Sequence, residues 1–185
     1  MVLRAATLLV MLFAGVGPVL AVIQRTIALQ SVIEGERWIG VGRIGRLDAA
    51  RAEVTIVRNL KGDDRFSSLS LALTGDAQAV KSGEPRQLLE RLAPGMEIVL
   101  FGSLRGGRWT MVGYSNGTWF RLAGEAAAGS PAVISFTHFE PYLRRTYNGA
   151  TAELIGTITD CLGGRGKPPA PNPQEPPGIG PPVKP

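Results

Sequence analysis

Between residues 37 and 122 the chain is cut into short apolar runs, several alternating with polar side chains, and each ends at glycine, asparagine or aspartate. Runs this short cannot build long helices, and a period of two puts every second side chain on one face of a strand. Trp38-Ile-Gly-Val-Gly-Arg-Ile44 is β-branched and interrupted by glycine. The turn Leu47-Asp-Ala-Ala-Arg51 then leads into Ala52, Val54 and Ile56 on one face with Glu53, Thr55 and Val57 on the other, which is a β-hairpin. After a break at Lys61-Gly62-Asp63-Asp64, Leu69, Leu71 and Leu73 alternate with serine and alanine as a third strand with one wet face.

Residues 75–95 lose the alternation, and Pro85 to Leu92 reads as a short helix opened by proline and stopped before Pro94-Gly95. Strands resume from Met96 to Leu104 and from Trp109 to Tyr114, joined by Arg105-Gly-Gly-Arg108. Asn116-Gly117 turns the chain into Thr118-Trp-Phe-Arg-Leu122, and Pro131 to Phe136 is a seventh apolar run. Glu140 to Tyr147 predicts a short helix. Leu154, Ile155, Ile158, Cys161 and Leu162 recur near 3.6 residues, so the last folded piece is helical, with Gly163 where a C′ glycine belongs. The expected fold is mainly β: a small OB-like closed barrel or curled antiparallel sheet with short helices and one C-terminal helix.

Cys161 is the lone cysteine, so no internal disulfide forms and the fold must hold by burying apolar surface. A domain near 150 residues removes roughly 68–70% of its unfolded surface from water, which suffices. The thiol itself is expected to be buried. With one cysteine and one histidine the ligand count of a cysteine-and-histidine zinc site fails, and no metal or cofactor is expected.

The two ends differ in kind from the middle. Arg4 precedes nineteen uncharged residues, 5–23, and Val19-x-Ala21 supplies small residues for a cut after Ala21; residues 1–21 are read as an export signal. The rival reading keeps residues 5–23 as a membrane anchor, which Gly15, Gly17 and Pro18 argue against. The remaining chain carries a net charge of +4, with arginines scattered among carboxylates. No basic stripe marks a nucleic-acid partner. From Gly163 to Pro185 lie nine of the fourteen prolines, and this stretch is expected to be a disordered, extended tail, serving as a spacer or as a ligand for a groove that reads Pro-rich peptides. The domain itself is assigned to residues 22–162.

The strand signals Gly40-Val-Gly42-Arg-Ile44, Ala52-Glu-Val54-Thr-Ile56-Val57 running into Asn59-Leu-Lys61-Gly62, and Leu92-Ala-Pro-Gly95-Met-Glu-Ile-Val-Leu-Phe101 together resemble secreted OB-fold domains of the netrin and tissue-inhibitor-of-metalloproteinases type. The resemblance covers roughly residues 37–122 and implies a small closed barrel with one open face for binding. The inhibitors' zinc-chelating N-terminal cysteine has no counterpart here, so zinc inhibition is not carried over.

Two constellations bear on function. Arg105, Arg108, Trp109, Tyr114, Trp119 and Arg121 lie within seventeen residues on adjacent strands, and aromatic faces beside guanidinium groups hold sugar rings or bases by stacking and cation–π contact. The same tryptophans can equally fill a core. Gly113-Tyr-Ser115-Asn-Gly117 matches the G-x-S-x-G string of serine hydrolases, and Glu125 and His138 follow in the order such a triad uses. That chemistry needs a strand-to-helix elbow, whereas a strand follows here and Asn-Gly explains the turn without catalysis. The expectation is therefore an exported, non-enzymatic binding module whose unknown partner is an envelope polymer or protein. A small serine hydrolase and a membrane-tethered envelope module are the alternatives.

Overall fold

The structure, a computed structural model, describes residues 26–62, 66–125 and 132–183. Seven strands form it: β1 (Trp38–Leu47), β2 (Arg51–Lys61), β3 (Ser68–Ala72), β4 (Glu97–Arg105), β5 (Arg108–Ser115), β6 (Thr118–Glu125) and β7 (Ala132–Phe139). They close in the order β1-β2-β3-β7-β6-β5-β4, with β4 returning onto β1. All neighbours are antiparallel except β3 and β7. The expected closed barrel is thus present, with two strands more than the five of an OB-fold.

Closure depends on β1, which pairs along its length with both β2 and β4 and absorbs the bend in three register shifts against β2. Two of its glycines face inward for lack of room. A Cβ on Gly40 would run into the Trp38 indole, and one on Gly42 into the Val54 methyl. Gly113 on β5 likewise lies under the Phe120 ring. Large rings set against glycines fill the narrow lumen.

The helices are α1 (Leu29–Gly35), α2 (Ala77–Ser82), α3 (Glu84–Leu89) and α4 (Thr151–Leu162), with a 3-10 helix at Pro141–Arg145. The helix expected over Pro85 to Leu92 is α3, and α2 is a further helix before it, separated from it at Gly83, whose φ of 73° suits glycine. Asp76 caps the first, its carboxylate accepting from the Gln78 and Ala79 amides at 2.9 Å. Together α2 and α3 carry the chain from β3 to β4 and close one end of the barrel with Leu88, Leu92 and Ala79.

Two apolar clusters share the barrel wall. Inward-pointing Ile44, Val54, Leu71, Leu100, Met111 and Phe120 fill the lumen. Outward-pointing Ile39, Val41, Val99, Phe101, Val112 and Trp119 lie under Leu29 and Ile33 of α1 and Leu154, Ile155 and Ile158 of α4. Each such side chain, fully buried, contributes roughly 1.5–3 kcal/mol over leaving it in water. Lys61 fastens α1 by donating to the carbonyls of Ile33 and Glu34 at 2.7 and 2.9 Å. The helix α4 ends in a Schellman motif: Arg165 N donates to Asp160 O, and Gly164 N to Cys161 O. The left-handed glycine there is Gly164, φ 69°, one residue beyond the expected Gly163. Cys161 is half-buried and donates to Gln30 on α1.

Residues 163–183, expected as a disordered, extended tail, are extended in the structure and run along the domain. The strap they form leaves α4 and passes the 3-10 helix, where Asn172 N donates to Arg145 O and Glu175 receives Arg144 at 2.7 Å. It then crosses the barrel end, placing Ile179 against the interior cluster, and Val183 N donates to Glu90 O. Composition carries no trace of these contacts because they are made by backbone amides and by partners far away in sequence. Residues 1–21, and the 5–23 segment, lie outside the described residues. Among the described residues no helix is long and apolar enough to cross a membrane.

Candidate binding face

The aromatic and arginine cluster does not assemble. Trp109 points into the lumen, 4% exposed, with the Phe66 ring edge-on at 5.0 Å. Trp119 points to the other side of the wall, 1% exposed, tilted against Tyr114 at 4.6 Å. Trp119 on β6 pairs with Tyr114, an odd number of residues along β5 from Trp109, so the two indoles lie on opposite faces and share no stacking platform. Tyr114 and Trp119 instead hold the loop before α4: the Tyr114 hydroxyl donates to Gly149 O and accepts from Gly117 N, and Trp119 Nε1 donates to Tyr147 O at 2.7 Å. Burial pushes the Tyr114 hydroxyl well above the ordinary phenol range, and Tyr147 is raised to about 12 by burial and then by the Glu153 carboxylate. Arg105 and Arg108 face each other across the exposed Gly106–Gly107 turn. Arg121, four residues along β6 from Glu125, is committed to Glu140, donating at 3.0 and 2.7 Å.

The serine, glutamate and histidine of the alternative hydrolase reading also stay apart. Ser115 ends β5 and is paired with Thr118 across the turn Asn116–Gly117, both left-handed, as in a type I′ hairpin. No helix follows. Glu125 closes the far end of β6, opposite Arg108, roughly 23 Å away at about 3.3 Å per residue. His138 sits on β7 opposite Arg121, its Nε2 3.4 Å from Glu140 Oε1 and its Nδ1 3.0 Å from Thr137 Oγ1. Asn116 has another use: its side chain and amide make three hydrogen bonds with Thr151, the first residue of α4.

What the wall leaves open is the outer side of β2, β3 and β7. Arg51, Glu53, Thr55 and Val57 on β2 are exposed, as is Val133 on β7, and among the described residues no helix lies over them. Between β2 and β3 runs a groove of about 360 Å³, floored by Val54 and Leu69 and lined by Arg51, Glu53, Thr55, Ser68 and Ser70. The Ser70 hydroxyl is buried there with no hydrogen-bond partner. Glu53 stands between Arg51 on one side and the Thr55 and Ser68 hydroxyls on the other, so the face offers donors and acceptors to a polar, near-neutral chain. The strand alternation of β2 was the signal for this wet face, yet nothing in it singled out Ser68 and Ser70 as groove residues, since the register that sets them beside Thr55 and Glu53 is a tertiary fact.

A larger hollow, about 720 Å³, opens on the sealed side between the start of α1, Cys161 and the strap from Gly164 to Pro171. Its Arg165 is already paired with Asp160 at 3.0 Å. Among the described residues no group of three or more histidines, cysteines or carboxylates is placed to hold a metal ion. Compared with protein-family models, curated proteins and solved structures, the chain matches none.

Proposed function

We propose that the chain is an exported, non-enzymatic binding module acting at the cell envelope or outside the cell, and that the bare β2–β3–β7 side of its barrel is the contact surface. The observation that carries this reading is the asymmetry of the wall: one side is sealed under α1 and α4, while the other keeps a groove that sets Arg51, Glu53 and the Thr55 and Ser68 hydroxyls side by side. A barrel has no free edge, so a partner must be read by side chains rather than by strand addition. Export is supported by the leader-like residues 1–21, and an open binding face is what the likeness to netrin-type domains implies. Uncleaved, the same leader would tether the module to a membrane; the mass of the mature N-terminus separates the two arrangements.

The test is retention of the full chain on isolated cell-wall material and on a panel of soluble envelope glycans. Thr55→Trp fills the groove and Glu53→Arg reverses its charge; each should reduce retention at least tenfold with the fold intact. Equal retention of both variants sinks the assignment of this face. Labelling of Ser115 by a fluorophosphonate probe would overturn the non-enzymatic reading, and the burial of that hydroxyl at 1% exposure is why none is expected.

A further inference from the structure

The strap meets the barrel through few but specific features. Glu175 takes two hydrogen bonds from Arg144, at 3.2 and 2.7 Å, while its carbonyl accepts from Arg145 Nε at 3.1 Å. Both carboxyl and guanidinium are largely buried, so this is not an ordinary surface pair. Four residues on, Ile179 enters the mouth of the lumen as the strap's one aliphatic plug. Gly180 follows with no room for a side chain: a Cβ there would lie 2.5 Å from Asn116 O and Thr118 Oγ1. Its carbonyl accepts from Arg91 at 2.6 Å, and the amides of Gly178 and Val183 reach Pro141 O and Glu90 O. The intervening prolines preset an extended backbone and bring no donors that need partners.

This is how a groove reads a Pro-rich peptide: backbone hydrogen bonds, one charge clamp and one apolar pocket. The fit is incomplete. Ser115 Oγ and Thr118 Oγ1, each 1% exposed at the mouth, have no hydrogen-bond partner, and Thr118 Oγ1 lies directly against Gly180. Buried hydroxyls left unpaired mark a place where a better occupant gains. We propose that the channel from Arg144 to the barrel mouth is a recognition site for extended Pro-rich peptides bearing a carboxylate, an aliphatic side chain four residues later and then glycine, and that residues 172–183 fill it as an intramolecular ligand. The inference is independent of the β2–β3 face. Because the tethered segment competes at an effective concentration of roughly millimolar, an added peptide binds the native chain weakly and an unlatched chain well.

The probe is a fluorescein-labelled synthetic peptide of residues 170–185, followed by anisotropy against the full chain and against full-length E175A/I179S. The doubly substituted chain should bind it at least tenfold more tightly than the native chain, and adding Arg144→Glu should abolish the gain. A peptide carrying the same two changes should bind neither. The proposal is overturned if E175A/I179S, with its near-ultraviolet circular dichroism intact, binds no more tightly than the native chain. Should that variant lose its barrel signal, the native chain decides alone. Excess unlabelled peptide should lower hydrogen-exchange protection of the Gly178 and Val183 amides, and unchanged protection at millimolar peptide overturns the exchange.

Discussion

On β4 both faces of the barrel wall are buried, with Ile98 and Leu100 inward and Val99 and Phe101 outward, whereas on β2 Ala52 and Val54 are buried and Glu53, Thr55 and Val57 stand in water. The inner faces of the two strands do the same work. Their outer faces differ because α1 and α4 sit over β4, while among the described residues no helix sits over Glu53, Thr55 and Val57. A strand buried on both sides can vary little without leaving a cavity, while a strand buried on one side is free to carry chemistry on the other. Stability is concentrated in the sealed half, and the outer face of the bare half is free to vary.

The widest gap between the halves should appear in Trp119→Ala set beside Thr55→Ala. The first removes a buried indole and its bond to Tyr147 O, and should destabilise by about 3–5 kcal/mol. The second deletes an exposed hydroxyl and should stay within about 0.5 kcal/mol. Urea unfolding followed by tryptophan fluorescence measures the pair for Thr55→Ala, and circular dichroism does so where the indole is gone. Equal midpoints for the two variants would erase the distinction drawn between sealed and bare sides.

A smaller effect should follow from cutting the tie between the β5–β6 turn and α4. Asn116→Ala loses the two hydrogen bonds its side chain accepts from Thr151 and places alanine at φ 41°, and should lower stability by about 1–3 kcal/mol. Thr151→Val removes the two bonds made by the Thr151 hydroxyl, one of them the side-chain bond to Asn116. In a double-mutant cycle the two changes should be clearly non-additive, and additivity would mean that Asn116 acts through the turn alone.

How much of this was legible in the sequence depends on how local the cause is. The strands followed from the alternation of Ala52, Val54 and Ile56 and from glycine and asparagine at the turns, and α4 followed from its 3.6 period. The sorting of Trp109 from Trp119 did not follow, because in β5 and β6 both faces are apolar and a period of two cannot say which is the lumen. The continuous run Ile98-Val-Leu-Phe101 was the available sign of a second covering layer, since a strand wet on one side would alternate. Leu29, Val32 and Ile33, one helical face, were the matching sign for α1. The triad string failed for the reverse reason: residues close in a motif were separated by seven steps of ladder. The strap was illegible because its anchors, Arg144, Arg91 and the barrel mouth, lie far from Glu175 and Ile179 in sequence.

Acid and base should loosen different parts. Tyr114 and Tyr147, raised above the ordinary 10 chiefly by burial, keep their protons in the folded chain where an unfolded chain would release them. Their stabilising share is present below pH 10 and is lost as the pH rises above it, so the sealed face should weaken at about pH 11. Glu175 runs the other way. Arg144 holds its carboxyl below the usual 4.5, so its share is present above that value and fades as the pH falls through the lower folded-state value. On acidification, protection of the Gly178 and Val183 amides should drop several-fold before any amide of β4 is affected. Simultaneous loss at both places would show that strap and barrel are one cooperative unit.

The smallest expected effect on stability, and the most informative for function, belongs to the groove. Glu53→Gln keeps the shape of the side chain and removes its charge from an exposed position, so unfolding should move by less than about 0.5 kcal/mol. If the face is a contact surface, the same change should weaken retention on the partner several-fold, because a carboxylate that accepts from a ligand is replaced by an amide that accepts with one oxygen only. Arg51→Gln, two residues along the same face of β2, tests the opposite charge. A partner that is polar but neutral should tolerate one of the two substitutions and not both, whereas a charged partner should respond to them with opposite signs. Retention indifferent to both, in chains that unfold like the native one, would leave the bare side of the wall as solvent-facing scaffold.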